Sequence, residues 1–138
     1  MRIDQADLLK GMDWLFVQKF MALTVREHYA KGDFIFHEGD KADFFYTLIE
    51  GGVKLSIGDT EKELFTVSHP GEAFGLSSIL DRNYYSASAE CLAPTHLHKI
   101  ERNALNQFLQ DHPESSSVFY KRVANRLGHR LVGCYKLT

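Results

Sequence analysis

Between residues 22 and 100 the chain is broken at short intervals by turn-forming clusters: Lys31-Gly32-Asp33, Glu38-Gly39-Asp40, Gly51-Gly52, Gly58-Asp59, His69-Pro70-Gly71 and Ala93-Pro94. The runs between them are rich in β-branched and aromatic residues. They predict short strands closing into a β-barrel or jelly roll. One run alternates Thr95, Leu97 and Lys99 with His96, His98 and Ile100, as a strand with two different faces does. Helical spacing flanks this region on both sides. Leu8, Leu9, Met12, Leu15, Phe16 and Phe20 predict a helix over residues 4–21, and Leu105, Phe108 and Leu109 a second ending near His112-Pro113. A longer helix is predicted over 113–136, where Pro113 suits the first helical position and Glu114 complements the dipole. Along it Tyr120, Ala124, Leu127, Leu131 and Cys134 alternate spacings of four and three, a heptad seam that would pair two helices in a homodimer. The expectation is one domain over residues 1–138, mainly β, with a roll over about 22–100, an N-terminal helix and two C-terminal helices.

Composition excludes several classes. A net charge of −2 gives no overall electrostatic footprint for nucleic acid. The cysteines, Cys91 and Cys134, lie far apart and suit a reducing compartment rather than a disulfide framework or a zinc site. With Arg2, Asp4 and Asp7 among the first residues a secretory leader is not expected, and no apolar run approaches the roughly 20 residues that span a bilayer. A cytoplasmic protein without membrane contact is expected.

The segment Gly71-Glu72-Ala73-Phe74-Gly75-Leu76-Ser77-Ser78-Ile79-Leu80, followed by Tyr85-Ser86-Ala87-Ser88-Ala89, carries the chemistry. A Gly turn, a short helix start and a small-residue strand form a cradle for an anion. In it the backbone N–H groups of Leu76, Ser77 and Ser78 would face outward at a helix N-terminus. Ser86 would add a hydroxyl and Ala87 a further N–H.

This segment resembles the phosphate-binding cassette of the cyclic-nucleotide-binding domain family, which includes bacterial regulators of the catabolite activator and fumarate–nitrate regulator type. The family pattern runs approximately Phe-Gly-Glu-(Leu/Ile)-(Ala/Ser/Cys)-Leu, a short loop, then Arg-(Ser/Thr)-Ala. Here it reads Phe74-Gly75-Leu76-Ser77-Ser78-Ile79, the loop from Leu80 to Tyr84, then Tyr85-Ser86-Ala87. Lys31 to Asp40 and Phe44 to Leu55 are similar to the family's earlier turn-strand-turn and hairpin at their usual spacing. The resemblance implies a double-stranded β-helix (jelly roll) with Gly75, Leu76, Ser77, Ser78, Tyr85, Ser86 and Ala87 around a ligand, and Arg82 and Tyr84 as auxiliary candidates. In the family the Glu holds the ribose 2′-hydroxyl and the Arg pairs with the cyclic phosphate; those positions are Leu76 and Tyr85 here. Each charge-assisted contact is worth roughly 1.5–3 kcal/mol, so losing both weakens binding about a thousandfold or more. Tight binding of cyclic AMP or cyclic GMP is therefore not expected.

Two readings of the altered cassette stay open: another small effector, or a fold kept for dimerisation or partner docking. Of Tyr84 and Tyr85, one is expected to pack in the mouth of the roll, because consecutive strand residues face opposite sides. His96-x-His98 with Glu101 superficially resembles a cupin metal site, but the gap to the Glu is too short and Glu90 stands where a Gly belongs. Short histidine motifs match by chance too often to carry a site, so no metal or cofactor is expected. No catalytic residue is expected either, since no nucleophile elbow, paired carboxylates at useful spacing or Walker loop is present. A metal-dependent jelly-roll enzyme is the remote alternative. Cys91 is expected to pack rather than react. Lys121, Arg122, Arg126, Arg130 and Lys136 are expected on a solvated face beside the seam. Many bacterial members continue into a helix-turn-helix. Residues 1–138 contain no recognition helix preceded by a Gly turn, so no DNA-reading module is expected in them.

Overall fold

The computed structural model describes residues 7–58 and 62–136, without the side chains of residues 7, 62–64 and 132–136. Its order is a 3-10 turn (Asp7–Leu9), α1 (Trp14–Ala22), β1 (Val25–Tyr29), β2 (Phe34–Phe36), β3 (Phe44–Glu50), β4 (Val53–Ile57), β5 (Lys62–Val67) and β6 (Ala73–Phe74). A second 3-10 turn (Leu76–Ile79), β7 (Ser88–Cys91), β8 (Thr95–Glu101), α2 (Arg102–Asp111) and α3 (Pro113–Lys136) complete it. The strands form two four-stranded antiparallel sheets, ordered β1-β8-β3-β6 and β2-β7-β4-β5. This is the jelly roll expected, spanning β1 to β8.

The N-terminal helix is shorter than its apolar spacing predicts. Gly11 takes φ +77°, a left-handed conformation that ends the 3-10 turn, and α1 starts afresh at Trp14. Asp13 caps it, its carboxylate accepting from the Phe16 N–H at 3.1 Å. Glu101 caps α2 in the same way, accepting from Asn103 and Ala104 at 2.7 and 3.1 Å. That carboxylate, weighed as a metal ligand, thus serves a helix end.

The first sheet is a wall between two apolar cores. Alternation along β3 sends Phe45 towards the helices and Tyr46 and Leu48 into the roll; β8 sends Ile100 and Leu97 the same two ways. On the helical side Phe16, Phe20, Phe108 and Phe119 interlock, with ring centroids 5.0 Å apart for Phe16–Phe108 and 5.8 Å for Phe20–Phe119. Phe119 and Val123 dock α3 by one face. The stripe beside it leaves Tyr120, Ala124, Leu127 and Leu131 exposed, as the seam expectation requires. The Cys134 side chain lies outside the described residues.

Candidate functional site

Gly75 opens the cassette at φ +70°, and a Cβ there would stand 2.9 Å from the Tyr46 ring and 3.2 Å from the Phe44 carbonyl oxygen. Only glycine meets both demands without strain. The turn that follows is a 3-10 helix, in which each N–H reaches back three residues. Consequently the Ser78 N–H donates to the Gly75 carbonyl at 3.2 Å, and the Ser78 hydroxyl donates to the same oxygen at 2.7 Å. Ser78 is fully buried. This corrects its expected role: Ser78 latches the turn and does not face a ligand. Leu76 and Ser77 do line the cavity described below.

Tyr85 is also corrected in part. It is 5% exposed, its ring stacks on Phe36 at 3.7 Å between centroids, and its hydroxyl donates to the Phe44 carbonyl at 2.6 Å. The same hydroxyl accepts from the Phe44 N–H at 3.1 Å. Burial pushes its pKa up, so it stays a neutral phenol. The ring contributes a wall to the cavity, while its polar end is spent inside the fold. Tyr84, its neighbour, points to solvent at 57% exposure and does not line the cavity, which removes it as an auxiliary contact. The loop between them and the turn is tied down from afar: Arg102 donates to the carbonyls of Ala42 and Leu80 at 3.2 and 2.9 Å.

Together these parts line an open cavity of about 500 Å³, within the range of small-molecule sites. Phe36, Leu55, Leu76, Leu80 and Leu127 make it largely apolar. Ser77 and Ser86 bring hydroxyl oxygens 3.4 Å apart, and Gly75 and Ala87 leave room beside them. Arg82 stands at its exposed rim and Arg130 enters from α3. Among the described lining residues there is no carboxylate.

Arg130 was expected on a solvated face, and the structure places it otherwise. It donates to the Ala73 carbonyl and lies over the Phe65 ring, 4.6 Å from the centroid. Burial depresses its pKa, while the buried Glu72 pulls it back up. Arg122 likewise turns inward, donating to the Leu8 and Lys10 carbonyls at 3.0 and 2.6 Å. Of the histidines weighed for metal, His96 is exposed with its ring centroid 5.8 Å from that of His28. His98 is buried beside the Thr24 hydroxyl, its Nδ1 3.3 Å away.

A family model described as cyclic nucleotide-binding domain matches residues 26–112. A CRP-like cAMP-activated global transcriptional regulator of Mycobacterium tuberculosis is 31% identical over 101 residues, 72% of this chain and 45% of that protein. The chain therefore spans less than half the length of that curated relative. Among solved structures, the catabolite activator protein of Thermus thermophilus superposes with a TM-score of 0.76 at 26% identity, covering 94% of this chain and 62% of that one. The N-terminal domain of a transcriptional regulator from Streptomyces coelicolor A3(2) gives a TM-score of 0.71 at 30% identity, covering 88% and 86%.

Proposed function

The chain belongs to the cyclic nucleotide-binding domain family, of the catabolite activator and fumarate–nitrate regulator type, and from that membership we propose that residues 1–138 form the effector-sensing domain of a cytoplasmic regulatory protein. It takes a small molecule other than cyclic AMP or cyclic GMP, contacts no nucleic acid itself, performs no catalysis and pairs as a homodimer through α3. The observation that carries this reading is the position of Leu127: it lines the cavity and lies on the exposed seam of α3. An effector in the cavity then meets the helix that would mark the dimer interface, and differential contact in two helix positions is what a population shift requires. None of the described helices is long and apolar enough to cross a membrane.

Calorimetry tests the nucleotide half of the proposal. With Leu76 and Tyr85 at the two charged positions, neither cyclic AMP nor cyclic GMP should bind at micromolar concentration; submicromolar binding of either would sink it. The sensing half is tested by a thermal-shift screen against a metabolite library, run beside Ala87→Trp, whose indole should fill the cavity. A true effector at a hundred times its Kd adds about 2.7 kcal/mol, several degrees in Tm for a domain of this size. Wild-type hits lost in the variant support sensing. A library without any such hit favours a docking or dimerisation module.

A further inference from the structure

Resting on the sensing reading above, we propose that the effector is a small organic acid: a carboxylate on an aliphatic or aromatic body, clamped by Arg130 and Arg82 with its body against the leucine wall. Arg82 and Arg130 line the cavity, and no carboxylate does among its described residues. The buried Glu72, which shares the neighbouring cleft with Arg130, offsets part of that charge, and the exposed Arg82 keeps the balance positive, which favours an anion. Arg130 is the stronger anchor. A guanidinium has five N–H donors in a planar fork, and in Arg130 the Ala73 carbonyl engages Nη2, leaving donors for a carboxylate. A charge withdrawn from water beside Phe65 gains more from an entering anion than an exposed one does. Arg82, at the rim, meets the ligand as it enters. The hydroxyls of Ser77 and Ser86 offer further donors near the head group.

The apolar wall excludes a bare anion. Phosphate or sulfate would leave Phe36, Leu55 and Leu76 facing trapped water, whereas an alkyl or phenyl body covers them. A ribose is disfavoured in turn, because no carboxylate among the described lining residues receives its hydroxyls, and the base of the cradle is filled by the Tyr85 ring.

The experiment is calorimetry on the full chain with octanoate and phenylacetate, their neutral amides, inorganic phosphate and cyclic AMP. At least one acid should bind at 1 mM or below, its amide at least tenfold more weakly, and phosphate not at all. Arg130→Gln should weaken the acid by roughly tenfold or more, the worth of one charge-assisted hydrogen bond, with Arg130→Lys in between. Arg122→Gln, at an arginine that is bound to the Leu8 and Lys10 carbonyls and does not line the cavity, should leave the affinity unchanged. Should Arg130→Gln fail to fold, Arg82→Gln at the exposed rim decides, with a severalfold loss expected. The proposal is overturned if neither acid binds at 1 mM, or if the amides bind equally well and both arginines are dispensable. In either case, binding of a neutral amide, or a screen hit that Ala87→Trp abolishes, leaves the sensing reading standing, whereas submicromolar binding of cyclic AMP sinks its nucleotide half. Absence of any ligand, in this panel and in the screen, removes both.

Discussion

Replacing Leu127 and Leu131 together by glutamate should turn a dimer into a monomer. In the isolated chain Tyr120, Leu127 and Leu131 are 40%, 36% and 52% exposed, while the adjacent stripe of α3 is already buried through Phe119 and Val123. A solvated helix needs one apolar face, and this one has two. Burying a leucine contributes roughly 1.5–3 kcal/mol, and two-fold symmetry counts each leucine twice, against the cost of association. Four glutamates at the same seam would reverse the sign, since a buried carboxylate without a partner is strongly unfavourable. Small Ala124 between the larger residues lets the helix backbones approach. Sedimentation at tens of micromolar should show the wild type as a dimer and the double variant as a monomer. Leu131→Glu alone separates seam from cavity, because Leu127 lines the cavity and Leu131 does not. A wild type that sediments as a monomer ends the dimer proposal.

The second large effect is expected at Tyr85, and it is one of stability. Truncation to alanine removes the stacked ring from Phe36 and strands the Phe44 N–H and carbonyl, which the phenol now satisfies. Large-to-small changes of buried aromatics cost about 3–5 kcal/mol. Tyr85→Phe keeps the ring and loses only the hydroxyl, for about 1–3 kcal/mol from the unsatisfied backbone groups. Urea denaturation should rank wild type, Phe and Ala in that order; an alanine variant within about 1 kcal/mol of wild type would mean the ring packs loosely. The restoring pair Leu76→Glu with Tyr85→Arg therefore carries a stability penalty as well as any gain in nucleotide affinity.

The turn clusters, the two-faced strand at 95–100 and the long helix were legible in the sequence because local chemistry decides them. Gly and Asp set turns, alternation sets faces, and Pro113 with Glu114 marks a helix start. The cassette was legible for the same reason, through Gly75 and the small residues after the loop. What escaped depends on long-range placement. Nothing near Arg130 says that α3 docks with that side against β5 and β6; only its spacing of three from Leu127 hints that the two share a face. Arg102, whose contacts lie 60 and 22 residues away, left no local sign either. Ser78 was misplaced because a 3-10 turn consumes an N–H that the same sequence would leave free in the first turn of an α-helix. The N-terminal helix ran long because its apolar spacing continues through Gly11, whose backbone does not.

The sheet shared by the two cores has a mechanical consequence. Strands β3 and β8 are packed on both faces and paired on both edges, β3 between β8 and β6 and β8 between β1 and β3. Their amides open to solvent exchange only when a core on one side gives way, so they belong to the slowest-opening part of the chain. A helix leaning on such a wall pivots or slides as a rigid rod, since bending the strands beneath it would disturb both interiors at once. A signal of the proposed kind would cross the domain over the sheet rather than through it.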